Sequence, residues 1–185
     1  MALIRVWTKQ NEAVLQQLAE NGRFTADEGF IRREIGETAD IMLPIYEWLA
    51  QNAPTAASKP ENVRYPVWVS LEREATMIPE AGYVTLELEI EDEMITLLDT
   101  AKWTCITNYS YIPENEADKK RHLEKLEAMG RMDAEAILTN FYPELKAEIT
   151  ESWKRLFDRS VSLGSDTVYG IIWEVREEWI RKIIK

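Results

Sequence analysis

The clearest period-two stretch of the chain runs from Tyr83 to Ile90. There Val84, Leu86, Leu88 and Ile90 point one way, and Thr85, Glu87 and Glu89 point the other. Such alternation predicts a strand with one face in a core and one toward solvent, which suits an antiparallel or edge position. Ala2 to Thr8 alternates likewise, with Ile4 and Val6 opposite Arg5 and Trp7. In Tyr65 to Leu71, Val67, Val69 and Leu71 point inward, with Trp68 and Ser70 on the other face. Met94 to Leu98 and Thr167 to Val175 read as further strands, and Trp179 to Ile184 as a closing strand or helix.

Helical spacing is strongest between Asn140 and Asp158. Leu145, Ile149, Trp153 and Leu156 form one apolar stripe with Phe157 beside it. Pro143 fits the first turn, where its missing N–H costs nothing. Glu144 sits near the positive end of the helix dipole, and Lys154 and Arg155 near the negative end. An earlier helix is expected to start at Asn11, bury Val14, Leu15 and Leu18, and stop at Gly22. Thr25 is a candidate cap for a short helix carrying Phe30 and Ile31, and Ile41 to Ala50 forms another, opened or kinked by Pro44. Gln51 to Pro60 reads as a loop. A helix capped by Asp99 or Thr100 carries Trp103 and Ile106, and a charged one spans about Glu116 to Met129, ended by Gly130. Met132 to Thr139 is a shorter helix. Strands and helices do not alternate as βαβ units, so the pattern predicts an α+β fold, a mainly antiparallel sheet packed with several helices. One domain over residues 1–185 is expected, with Val14, Leu18, Leu86, Leu88, Leu145, Ile149, Trp153 and Ile172 in its core.

Charge and cysteine content narrow the function classes. The formal net charge of −11 opposes general nucleic-acid binding, because the long-range field repels a polyanion. Cys105 is the single cysteine and His122 the single histidine, which excludes an intrachain disulfide and a usual structural zinc shell. No apolar run approaches the ~20 residues of a membrane-spanning helix, and no secretory signal is recognisable, so no membrane partner and a cytoplasmic location are expected. His122, in DKKRHLEKLE, reads as part of a solvated helix face. Cys105 reads as a buried structural thiol. Glu87 and Glu89, with Glu91 to Glu93 following, read as a solvated acidic face.

The remaining chemistry gathers at the end of the first strand. Arg5, Trp7, Thr8 and Gln10 bring long polar groups beside an indole, and Tyr46, Trp68 and Glu174 are the residues expected to meet them. Aromatic walls of this kind stack planar ligands such as nicotinamide or adenine. In this reading Arg5 holds phosphate, and Glu174 is the catalytic carboxylate that polarises a ribose hydroxyl or a nucleophile. The ligand would be NAD or a related nucleotide. Against this stands a second class, a non-catalytic module whose acidic helices meet a basic protein partner.

Several of these residues also carry a family resemblance. Val6 to Gln10 (VWTKQ), Ile45 to Trp48 (IYEW), Pro66 to Trp68, Trp103 with Asn108-Tyr109, Phe141 to Pro143, Ser152 to Phe157 (SWKRLF) and Trp173-Glu174 resemble an uncharacterised bacterial family, the domain of unknown function 3841. The resemblance spans nearly the whole chain and implies a stand-alone domain without an established reaction. The order of elements is also similar to ADP-ribosyltransferase-like folds. Those bind NAD at the end of an early strand and use a late glutamate. Their early histidine or arginine–serine–glutamate signature is not reproduced here.

Overall fold

The computed structural model describes residues 2–76, 78 and 80–185. Its strands are β1 (Leu3–Asn11), β2 (Arg23–Phe24), β3 (Val67–Ser70), β4 (Tyr83–Glu91), β5 (Thr96–Asp99), β6 (Val168–Ile172), β7 (Val175–Arg176) and β8 (Ile180–Ile184). Its helices are α1 (Ala13–Asn21), α2 (Glu28–Ile35), α3 (Ala39–Asn52), α4 (Thr100–Thr107), α5 (Glu116–Met129), α6 (Asp133–Leu138) and α7 (Pro143–Ser152). The fold is α+β. The main sheet runs in the order β5-β6-β3-β1-β4-β8, and β2 and β7 pair separately. Pairings β6–β3, β3–β1, β1–β4 and β4–β8 are all antiparallel.

The chain divides into two compact units, residues 1–97 with 168–185, and residues 98–167. In the first unit, β1 and β4 pair along their full lengths, from Leu3 opposite Glu91 to Asn11 opposite Tyr83. This register puts Ile4, Val6, Thr8 and Gln10 on the same face as Ile90, Leu88, Leu86 and Val84. The apolar members of that face join Val14 and Leu18 of α1, Ile31 of α2, Leu43 of α3, Val67, Val69 and Ile172 in one cluster. Each large aliphatic side chain removed from water there is worth about 1.5–3 kcal/mol in transfer free energy. Gly170 sits inside this packing: a Cβ would lie 2.3 Å from Ile95 Cδ1 and 2.9 Å from Val69 Cγ2.

The helices of this unit start where short polar side chains meet free N–H groups. Asn11 accepts from the Ala13 amide at 3.0 Å, and Gly22 ends α1 in the left-handed conformation, at φ 68°. The cap of α2 is Asp27, which accepts from the Phe30 amide at 2.7 Å, rather than Thr25. A carboxylate in the extended conformation outcompetes the threonine two residues earlier because it also complements the helix dipole. Pro44 lies within α3, which already begins at Ala39.

In the second unit, Asp99 caps α4 and Asn115 caps α5. Pro143 opens α7, and the chain continues as a 3₁₀ turn through Trp153 to Phe157. Leu145, Ile149, Trp153 and Leu156 are buried, and the Trp153 indole donates to the Ser110 carbonyl at 2.9 Å. The eight residues expected in one core therefore divide: five belong to the cluster of the first unit, and Leu145, Ile149 and Trp153 are buried in the second. Among the described residues no helix is long and apolar enough to cross a membrane.

Candidate functional site

The face alternation of β1 sorts the residues expected at its end into two groups. Arg5 and Trp7 lie on the face opposite Thr8 and Gln10. Arg5 is engaged there by Glu87 at 3.2 Å and Glu89 at 3.9 Å, and Arg181 also binds Glu89 at 3.0 Å. Glu87 and Glu89 are thus ion-paired and largely covered, not a bare solvated face. The Trp7 indole N–H is buried with no acceptor among the described residues.

Thr8 and Gln10 are buried on the core face. The Thr8 hydroxyl donates to the Trp68 carbonyl at 2.7 Å, and Gln10 Nε2 donates to Thr8 Oγ1 at 2.7 Å. Gln10, Tyr46 and Trp68 line one cleft of about 200 Å³, together with Lys9, Phe30, Glu34 and Val67. Burial pushes the Tyr46 hydroxyl up from its ordinary pKa, partly opposed by a hydrogen bond with the Trp68 side chain. An indole N–H can only donate, so the Tyr46 oxygen is the acceptor. Glu34 accepts from the Tyr83 hydroxyl at 2.7 Å, and this bond, with burial, raises the Tyr83 pKa. Lys9 binds Glu80 at 2.6 Å and the Ile78 carbonyl at 3.1 Å. Four of the expected site residues, Thr8, Gln10, Tyr46 and Trp68, are brought together.

Glu174 is elsewhere in its contacts. It is 5% exposed and held by Arg176 at 2.7 Å and Arg23 at 3.7 Å, with Oε2 lacking a hydrogen bond among the described residues. Arg5 and Glu174 have no partner in common among their described ion pairs. Glu34 and Phe30 were not anticipated at the cleft. Their signal is the one-turn spacing that puts them on the same side of α2 as Ile31 and Ile35.

The second unit holds a larger cavity, about 650 Å³, lined by Cys105, Ser110, Tyr111, Lys119, His122 and Asp133 among others. His122 is not solvated: it is 3% exposed, its ring stacked on Tyr111 at 4.0 Å between centroids. Its Nε2 lies 2.8 Å from Asp133 Oδ1, and its Nδ1 lies 3.5 Å from Glu148 Oε1. The other Asp133 oxygen accepts from the Tyr111 amide at 2.8 Å. Burial, helped by the charges of Asp99 and Asp133, pushes the half-buried Cys105 thiol up, which disfavours the thiolate. Both ring nitrogens of His122 face carboxylates, so the ring is not turned to activate Cys105. Beside it runs an ionic network centred on Asp118. The Asp118 carboxylate accepts from Tyr111 Oη at 3.0 Å, the Glu114 amide at 2.9 Å, Arg121 at 2.8 Å and Arg155 at 3.1 Å. Burial alone would raise its pKa, but these bonds and the Arg155 charge outweigh it and hold Asp118 at about 2. Among the described residues no group of three or more His, Cys, Asp or Glu side chains is placed to hold a metal ion.

An antiparallel sheet backed by helices, with an aromatic and amide-lined cleft at the end of its central strand, defines an α+β fold. The chain belongs to the family described as Domain of unknown function (DUF3841), whose model matches residues 5–181. Comparison with curated proteins and with solved structures gives no match.

Proposed function

We propose that the protein is a small-molecule-binding domain whose cleft between β1, α2, α3 and β3 takes a planar ring, such as a nicotinamide or an adenine. The single observation that carries this reading is the convergence of Gln10, Tyr46 and Trp68 on one cleft, with Thr8 bonded to the Gln10 amide and to the Trp68 backbone carbonyl. Ligand pockets combine apolar and aromatic walls with a few fixed polar groups, and this cleft has both. Its size sets the class of ligand. Drug-sized ligands occupy roughly 300–1,000 Å³, so about 200 Å³ admits a ring and leaves the rest of a nucleotide outside. Arg5 is taken up by Glu87 and Glu89, so phosphate recognition by Arg5 is no part of the proposal. Glu174 is likewise engaged by two arginines, and the reading is of binding rather than of NAD-dependent catalysis.

The test is a panel of NAD, ATP, ADP-ribose, nicotinamide and adenine, followed by tryptophan fluorescence and thermal unfolding. A ligand at a hundred times its dissociation constant stabilises the folded state by about 2.7 kcal/mol, which is several degrees in a domain of this size. Members that present a free ring should shift both signals. Silence from all of them at millimolar concentration would leave the interaction-module reading. One observation favours that alternative: Met132, Leu138 and Phe141 are 70%, 66% and 82% exposed within ten residues of the second unit. Alanine at these three positions would then abolish capture of a protein partner and leave ring binding untouched.

A further inference from the structure

The hydrogen-bond relay behind the cleft decides which end of the Gln10 amide a ligand meets. The Thr8 hydroxyl has one proton, and it goes to the Trp68 carbonyl. Thr8 Oγ1 therefore meets Gln10 only as an acceptor, so the group facing it is the amide nitrogen, as found at 2.7 Å. The Gln10 amide is fixed by this logic, and its Oε1 takes the other side. Gln10 is 9% exposed and lines the cleft. Glu34, also lining it, receives the Tyr83 hydroxyl on Oε2 and keeps further lone pairs. Lys9, the cation among the described lining residues, is already neutralised by Glu80. The polar edge of the cleft thus combines these acceptors, including a carboxylate with no ion pair among the described residues, with the Tyr46 hydroxyl, whose oxygen accepts from Trp68 and whose proton can be donated to a ligand.

We propose that this edge reads N–H donors on the ligand: a primary carboxamide or an amino-substituted heterocycle binds, and the carboxylate of the same ring is rejected. The inference rests on the ring-binding reading above and deepens it by naming the ligand's chemistry. A donor would reach Gln10 Oε1 and the Glu34 carboxylate. A carboxylate would put its lone pairs against theirs and its charge against Glu34. A carboxamide supplies N–H donors to these acceptors and a carbonyl to the Tyr46 hydroxyl, and a site that uses the donors discriminates strongly against a ligand with none.

Nicotinamide and nicotinate differ at that one group, and adenine and purine differ by the exocyclic amine. Titration calorimetry with these two pairs is the test, on the wild type, Thr8→Val and Glu34→Gln, each checked for folding by its thermal melt. Nicotinamide should bind at least about ten-fold more tightly than nicotinate, and adenine more tightly than purine. Thr8→Val removes the relay and lets the Gln10 amide turn, so the nicotinamide preference should fall to about three-fold or less. Glu34→Gln keeps an acceptor for Tyr83, removes the charge and should recover nicotinate binding, a readout that survives if Thr8→Val does not fold. Equal binding of nicotinamide and nicotinate to the wild type would overturn the donor rule and leave the ring reading standing. Absence of binding by all four would overturn both.

Discussion

Replacing Asp118 by asparagine removes the charge at the centre of the ionic network of the second unit while keeping the size of the side chain. In the folded protein the carboxyl is held at about 2, against an ordinary 3.8, and the side chain is 14% exposed. A folded-state pKa below the unfolded value means that the unfolded chain binds the proton first. The stabilisation is therefore complete above about pH 5 and is lost as the pH falls through 2. At 1.36 kcal/mol per pKa unit the gap amounts to roughly 2 kcal/mol at neutral pH, and about half of it is gone by pH 3. Glu148 and Asp158 also titrate below their ordinary values, so the wild-type curve alone mixes several carboxyls. The difference between wild type and Asp118→Asn removes Asp158 and the other carboxyls outside the network and leaves Asp118 with Glu148, to which it is coupled through Arg121. Urea denaturation of both proteins between pH 7 and pH 3 should show the wild type ahead by about 2 kcal/mol or more at neutrality, with the lead shrinking by about 1 kcal/mol at pH 3. Two curves that stay parallel across that window would refute the argument.

Trp153→Ala should cost about 3–5 kcal/mol in denaturant unfolding, since it empties a buried aromatic site and orphans the Ser110 carbonyl; an unchanged midpoint would remove Trp153 from the core. Gly170→Ala should destabilise by about 1–3 kcal/mol through the clash with Ile95. Adding Ile95→Ala should recover part of that loss, so strict additivity in the double-mutant cycle would disprove the clash. His122→Ala should lower the melting temperature by several degrees, because it leaves Asp133 without its ring partner and Tyr111 without its stacking surface. A neutral outcome would return His122 to the solvated face that its charged neighbours suggest.

What was legible in the sequence is what short-range physics decides. The period-two alternation of Val84 to Ile90 and of Ile4 to Val6 became the central pair β1–β4, and Pro143 opens its helix as its missing N–H requires. His122 departs from its local pattern for a tertiary reason. Its neighbours on α5 are charged, and its burial comes from Tyr111 and Asp133, which no local pattern connects to it. The cleft was half legible. Aromatic and amide residues at the end of β1 pointed to Thr8, Gln10, Tyr46 and Trp68, but strand parity already separates Arg5 and Trp7 from Thr8 and Gln10. Glu174 and Arg5 looked like free functional charges because a sequence does not display the arginines and glutamates that neutralise them in the fold.

The ring-binding account is tested most directly by where a ligand is felt. In a ¹⁵N-resolved spectrum of the protein titrated with nicotinamide, the account predicts movement of the Trp68 indole N–H and the Gln10 side-chain amide, with the Arg5 Nε–H unmoved. No movement at Trp68 or Gln10, or movement centred instead on Arg5 or on the residues around Glu174, would contradict it.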